Sequence, residues 1–380
     1  MEKFSAYRDP GTGIQPFLTP VPPLGSDILA KVLLPFRCIL AVTRTALVLI
    51  LGLLYLVLVH GFCLILIPVP PLYRIIEHLF IWIFGRTVLF VLGLFWIPVE
   101  QFHRKRLRGP KLAEKWEPRA GDVIVSNWSS WIEVVWLAIR FNPIFLLPVP
   151  ESLPQTQSAS GASTPVIHTP GRRTGTGSAN IQIPAKVATP RIPVSKFVQL
   201  SLLSMVFKVG LVPPYGVPIS GTNFATLEEI RRKASKPIVV FPECTTSNGR
   251  GLLRFSDVFR QTVPVKDYNV FVMSVRYDPP TELSPTLTHT IPSKIMNPLP
   301  HLFLLCTSLS LAHMSVRLLA PSESPSSQLF AASEILSDYT GNDPLAETCA
   351  ALIAQMAKLK RLGLGWEEKS SFLDFYRGKT

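Results

Sequence analysis

The chain has 380 residues, 47% of them hydrophobic and only 17% charged, against about 25% charged in a typical soluble domain. That balance argues against a wholly disordered chain, 36 prolines argue against a long coiled coil, and five cysteines without a Cys-x-x-Cys pair argue against a zinc ribbon, a redox dithiol or a disulfide framework. A formal net charge of +13 suits anionic partners: phospholipid headgroups, phosphorylated ligands or nucleic acid.

Residues 1–30 are polar and proline-rich with no apolar face, and read as a disordered tail. Residues 46–67 are almost unbroken apolar sequence, with only His60 strongly polar. At 1.5 Å per residue, about 20 such residues cross the hydrocarbon core of a bilayer. The run begins too late and is too long for a cleavable signal peptide, and no small-residue cleavage site follows it. A second apolar stretch, 79–99, contains Arg86. A charge at mid-span costs about 2.5–3.5 kcal/mol on insertion scales, so this stretch reads either as a second span or as a re-entrant or interfacial helix with Arg86 snorkelling. Pro68-Val69-Pro70-Pro71 cannot continue a helix and separates the two runs. Residues 31–100 are therefore expected to form a membrane-embedded helical hairpin. Lys31, Arg37 and Arg44 before the first run, and Arg104, Lys105, Arg106, Arg108 and Lys111 after the second, predict that both flanks are cytosolic by the positive-inside rule. The second cluster reads as an anionic-lipid contact or as a solvated charge run.

From Asp122 the pattern becomes that of an α/β domain, over 101–150 plus 194–325. Strands are predicted at 122–126, 144–149, 237–243, 269–277 and 314–320, with a helix over 131–141. The alternation predicts a mixed sheet flanked by helices, with ligands beyond the carboxyl ends of its strands. Two loops lie there, 127–130 and 242–250. Residues 151–193 are rich in Ser, Thr, Pro and Gly and read as a disordered insertion, in which Thr164-Pro165, Thr169-Pro170 and Thr189-Pro190 would permit phosphorylation. The apolar run 302–312 is too short to span and reads as a buried or membrane-facing helix. In the C-terminal segment, 326–380, Leu345, Cys349, Leu352, Ile353, Met356 and Leu359 recur at helical spacing and predict a helix packed on the domain. There is no internal repeat, P-loop, Gly-x-Ser-x-Gly, metal-ligand spacing or nucleic-acid module. The positive charge is best matched to lipid, with no nucleic-acid partner expected.

The two loops carry a resemblance. Asn127-Trp128-Ser129-Ser130-Trp131-Ile132-Glu133 resembles the first signature of the PlsC-type glycerolipid (1-acylglycerol-3-phosphate) acyltransferases, an Asn-His, then four intervening residues, then Asp. Phe241-Pro242-Glu243-Cys244-Thr245 resembles the third, Phe-Pro-Glu-Gly-Thr, and its continuation Thr246-Ser247-Asn248-Gly249-Arg250 is similar to lysophospholipid acyltransferases. Residues 208–216 fall where the second block does, without its usual arginine, and 269–277 are similar to the fourth. Order and spacing hold over about residues 115–320, and within the family the nearest resemblance is to fungal lysophosphatidic acid:oleoyl-CoA acyltransferases linked to vacuolar sorting and lipid droplets.

The resemblance implies a glycerolipid acyltransferase-like fold and acyl transfer from acyl-CoA, a co-substrate rather than a cofactor, to a lysophospholipid. The most direct form is lysophosphatidic acid to phosphatidic acid, on the cytosolic side of the endoplasmic reticulum membrane and in contact with lipid droplets. It implies catalytic roles at the positions of Trp128 and Glu133. It implies substrate-binding roles for Asn127, Ser129, Glu243, Cys244, Thr245 and Arg250, with no metal. Arg254, Lys196 and Lys208 are further phosphate-pairing cations, or ordinary surface charges.

This chain departs from the family at the histidine, which is Trp128. An indole has one N–H donor and no acceptor, so it cannot be a base. None of the seven histidines (60, 78, 103, 168, 289, 301, 313) has an acid five places on. The aspartate position is Glu133 and the loop glycine is Cys244, where a positive φ would be costly. Three readings stay open. Glu133 is itself the base, its pKa raised by the walls of Trp128 and Trp131. A histidine from elsewhere, His289, His301 or His313, enters the site. Or catalysis is lost and the fold binds lipid in membrane trafficking or droplet organisation. Against any such role stand plain structural ones: Trp128 as a core aromatic, Glu133 as a helix N-terminal carboxylate, Cys244 as a packed replacement for glycine rather than a nucleophile.

Overall fold

The computed structural model describes residues 4–23, 32–104, 114–151, 191–216, 224–328, 330–336 and 341–378. The greater part of the basic cluster at 104–111 and of the insertion at 151–193 lies outside them.

Helix α1 (Leu34–His60) continues through a 3-10 turn (Phe62–Leu66). Among the described residues this 33-residue segment, Leu34–Leu66, is the one helix long and apolar enough to cross a membrane, and only 17% of its most apolar stretch is buried. Its buried stripe, Ala41, Thr45, Val48, Tyr55 and Val59, follows helical spacing. The helix begins well before the apolar run, because its polar first turns are docked. Arg37 donates to the carbonyls of Thr307 and Glu282, and Arg44 to that of Ser308 at 2.8 Å. Helix α2 (Pro70–Val91) opens on prolines at its first turn, which need no N–H partner there. It packs against α1 and against α3 (Ile132–Phe141). Arg86 donates to the carbonyls of Leu94 and Phe95 just past the helix end, so the charge is held by the chain itself.

The body is a seven-stranded mixed sheet of β1 (Val99–Phe102), β2 (Val123–Ser126), β3 (Ile144–Pro150), β4 (Val194–Leu200), β5 (Ile238–Val240), β7 (Val270–Tyr277) and β8 (Met314–Leu319), in the order β1-β8-β7-β2-β5-β3-β4. Strands β7, β2, β5 and β3 run parallel; β8 and β4 are antiparallel to their inner neighbours. A separate two-stranded sheet pairs β6 (Gly251–Leu252) with β9 (Lys360–Arg361). The remaining helices are α4 (Leu202–Lys208), α5 (Leu227–Lys233), α6 (Leu299–Cys306), α7 (Pro344–Ala357) and α8 (Trp366–Tyr376).

Alternation along the strands builds two cores. Ile124, Phe145, Val239, Phe271 and Met273 face a cluster with residues of α1, α2, α3 and α6; Val123, Val125, Leu146, Val240 and Val272 face one with α7 and Trp366. The result is a three-layer α/β/α arrangement. Helix α6 starts earlier than the run 302–312 and stops at Thr307, whose hydroxyl and N–H both turn back to the Leu304 carbonyl. Helix α7 is set by Pro344 at its first turn and by Asp343, whose carboxylate accepts from Ala346 N at 3.0 Å.

The expectation of a disordered tail over 1–30 is corrected for residues 4–23. Phe17 is buried and packs on Phe372 of α8, Tyr7 donates to Ser371 O at 3.1 Å, and Asp9 Oδ1 accepts from Gly363 N at 2.8 Å. Apart from one 3-10 turn at Ser5–Tyr7 this strap is neither helix nor strand, so it has no periodicity. Scattered aromatics and one Asp9 turn order it against elements that lie at the other end of the sequence.

Candidate functional site

The loops after β2 and β5 leave neighbouring parallel strands at their carboxyl ends, in register Val125↔Val240. Ser247 N donates to Trp128 O at 3.1 Å and joins them. A third segment, 286–290, is laid along both: His289 N donates to Ser129 O at 2.8 Å, and Thr246 Oγ1 donates to His289 O at 2.5 Å. Helix α8 contributes Lys369, buried, with Nζ 2.6 Å from Thr246 O. The N-terminal strap covers the loop from outside: Asn248 N donates to Pro16 O at 2.9 Å, and its Nδ2 to Gln15 O and Leu18 O.

Trp128 is fully buried and stacked on Phe241 at 4.9 Å, and its Nε1 has no hydrogen-bond partner. Glu133 is fully buried in the first turn of α3. Its Oε1 accepts from the backbone N–H groups of Ser129 and Ser130, and its Oε2 from Tyr277 OH at 2.8 Å. Burial pushes its pKa up to about 8, against the pull of those three donors. Both oxygens are engaged, so Glu133 ties the loop to its own helix and to β7. Asn127 copies a strand pairing: Oδ1 accepts from Val275 N at 2.8 Å and Nδ2 donates to Val275 O at 3.0 Å. Its amide is spent on the sheet.

Ser129 Oγ and Glu243 Oε2 are buried without partners. Burial and the nearby Glu133 push the Glu243 carboxyl well up, opposed by the backbone N–H groups of Trp128 and Leu253 and by Lys369; burial pushes Lys369 well down. Cys244 sits at φ 57, so this position does require the left-handed conformation that glycine favours. Burial raises its thiol, which keeps it un-ionised and un-nucleophilic. Thr245 Oγ1 donates to Leu211 O at 2.9 Å, and Tyr215 OH to Cys244 O at 2.6 Å, so the third block is bonded to the second.

The candidate phosphate cations separate. Arg250 and Lys196 are exposed. Arg254 pairs with Glu367 and Glu368 at 3.2 and 3.5 Å, and Lys208 Nζ donates to Tyr215 O at 2.7 Å, so these two are structural.

Among the three downstream histidines, His313 is exposed at the start of β8, while His289 and His301 are buried beside the first loop with ring centroids 4.7 Å apart. His301 is saturated: Nδ1 accepts from Trp131 Nε1 at 3.0 Å, so Nε2 donates to Thr286 O at 3.1 Å. His289 is not. Asn297 spends its amide hydrogens on Phe207 O and Val209 O, which turns its Oδ1 toward His289 Nε2 at 2.7 Å. Nε2 is therefore the protonated nitrogen, and Nδ1 keeps its lone pair, with no partner among the described residues. Burial lowers the His289 pKa to about 4, against the Asn297 bond, and that of His301 to about 3, so both are neutral at pH 7.

Asn297, Lys369 and the strap are absent from the motif pattern. Each reaches the site through a turn or a distant element, and no local spacing marks them. Among the described residues no group of three His, Cys, Asp or Glu side chains could hold a metal ion. No family model matches this chain, nor does any curated protein or solved structure.

Proposed function

We propose that the chain is a membrane-associated, acyl-CoA-dependent lysophospholipid acyltransferase in which His289 takes the place of the missing motif histidine. One observation carries this reading. Trp128 Nε1, Ser129 Oγ and Glu243 Oε2 are buried and unpartnered within one pair of loops, and the segment joining those loops carries an imidazole with a free lone pair. Unpaired buried polar groups are costly, and three of them gathered in one pair of loops support a site that takes a polar ligand.

In this mechanism His289 Nδ1 accepts the proton of the lysolipid hydroxyl as its oxygen attacks the thioester carbonyl carbon of acyl-CoA. Asn297 Oδ1 holds Nε2–H and stabilises the imidazolium. The Trp128 and Ser129 donors are available to the developing oxyanion. When the C–S bond breaks, the proton on His289 leaves with the coenzyme A thiolate. An anionic phosphate in the site would raise the basicity of His289. Lysophosphatidic acid is the substrate this favours, with phosphatidic acid as product, at the endoplasmic reticulum membrane and in contact with lipid droplets.

The test is transfer from labelled oleoyl-CoA to lysophosphatidic acid by the purified full chain. His289→Ala is expected to lower kcat by about 10²–10⁴-fold, and Glu133→Gln to keep most of the activity. Loss in the glutamine variant with folding intact would make Glu133 the base. A specific observation favours a second reading, a lipid-binding trafficking factor: residues 127–130, Glu133 and 243–247 are all buried, and Trp128 fills the histidine position. No transfer by the wild type across several lysolipids, with lipid still bound, would establish that reading instead.

A further inference from the structure

A groove of about 610 Å³ lies away from the two loops, between α2, the far half of α3 and the turn at 96–97. That size falls within the ~300–1,000 Å³ of sites that hold small molecules. Its floor includes Leu89, which is fully buried, and its rim carries Trp82 and Trp96, 53% and 78% exposed. Tryptophans in such a place have an apolar body and a polar edge, as at a membrane–water interface. The residues around the groove include two arginines and a histidine and no carboxylate. Glu77, beside the α2 stripe, is paired with Lys236 at 2.6 Å.

The two arginines differ. Arg86 spends donors on the carbonyls of Leu94 and Phe95 and is thereby fixed in place. Arg140 is exposed and has no hydrogen bond or ion pair among the described residues. His78 Nε2 donates to Ile139 O at 3.0 Å, which pins α2 to the end of α3 where Arg140 stands. A guanidinium fork matches phosphate oxygens bidentately.

We propose that this groove binds an anionic glycerophospholipid, its headgroup phosphate on Arg140 beside Arg86 and a chain along the apolar wall. The apolar stripe of α2 that forms the wall is itself exposed at Ile75 and Leu79, next to α1, the one helix among the described residues long and apolar enough to cross a membrane. A free phosphate would have no use for that wall, and a zwitterionic phospholipid would bring its own headgroup cation against the two arginines. The simplest alternative is that Arg140 merely complements the α3 dipole and the wall merely faces lipid; neither would select a headgroup.

The experiment uses the full chain in phosphatidylcholine nanodiscs with trace phosphatidylglycerol or phosphatidylcholine carrying a chain-borne diazirine. After photolysis, labelled peptides are mapped by mass spectrometry. The expected result is phosphatidylglycerol labelling within 75–97 and 136–140, competed by unlabelled phosphatidylglycerol and not by inorganic phosphate. Arg140→Gln is expected to reduce that labelling about tenfold, the scale of one charge-assisted hydrogen-bond pair. Arg232→Gln, a surface change on α5, is expected to leave it unchanged. Equal labelling by both lipids, indifference to Arg140→Gln, or competition by inorganic phosphate would overturn the proposal. None of these outcomes bears on His289, so the two proposals fail separately.

Discussion

At the scale of the residue, Glu133 shows how one side chain can meet a motif and yet do structural work. Its folded pKa of about 8 lies above the ordinary 4.5, so the folded state binds the proton more tightly than the unfolded chain. Below about pH 4.5 both states are protonated and burial carries no ionisation penalty. As pH rises toward 8 the unfolded chain sheds the proton first and stability falls, levelling off above that. Glu133→Gln abolishes this titration. The stability advantage of wild type over the variant is therefore expected to shrink between about pH 5 and 8, measured by thermal unfolding across that range. An advantage that grows with pH would mean that the three donors hold Glu133 ionised. Cys244 makes a second case, because its φ of 57 suits glycine. Cys244→Gly is expected to change stability by no more than about 1 kcal/mol, relief of strain offsetting lost packing and added chain entropy. Cys244→Val is expected to cost about 2 kcal/mol or more; denaturant unfolding separates them. The sequence marks Trp128 as unable to act as a base and Cys244 as a strained replacement. It offers His289 only as one of three unranked histidines, because its available nitrogen is decided by Asn297 and, through it, by the carbonyls of Phe207 and Val209.

At the scale of the element, legibility follows local determinants. β2, β3, β5, β7 and β8 are visible as apolar runs because burial on both faces writes them into consecutive residues. α7 is visible through its apolar stripe. β1 is exposed over its first half, and β6 and β9 are two residues each, formed only by pairing with one another, so no run announces them. The crossing of α2 over α3 is likewise hidden in a single glycine. A Cβ on Gly85 would stand 2.8 Å from Ile139 Cγ1. Gly85→Leu is expected to destabilise by about 1–3 kcal/mol through overpacking. Gly52→Leu in α1, where nothing lies within 4 Å, is the control. Unfolding followed in the same detergent reads both, and equal effects would place the close approach elsewhere.

At the scale of the molecule, both ends of the described chain converge on the loop after β5. The strap holds Asn248 from outside and α8 places Lys369 against Thr246. Phe17→Asp puts a charge into the aromatic contact with Phe372 and is expected to free the strap. Hydrogen exchange at the Asn248 amide is expected to rise several-fold in that variant, while Val125 in β2 keeps its protection; an unchanged Asn248 amide would show that the strap does not cover the loop. The sequence makes the sheet and the membrane-suited segment legible, because each depends on runs of neighbours. It leaves the clasp unread, because that depends on residues brought together only by the finished fold.

The bond between Asp9 and Gly363 spans 354 residues, and it imposes an order on biosynthesis. At roughly 5–20 residues per second, α1 is made well before the segment that pairs with β6 and before Lys369 exists. During that interval the loop after β5 has neither its outer cover nor its buried ammonium. A chain that engages a bilayer through α1 as it is made would thus be moored while its site is still open, and would close it only on release.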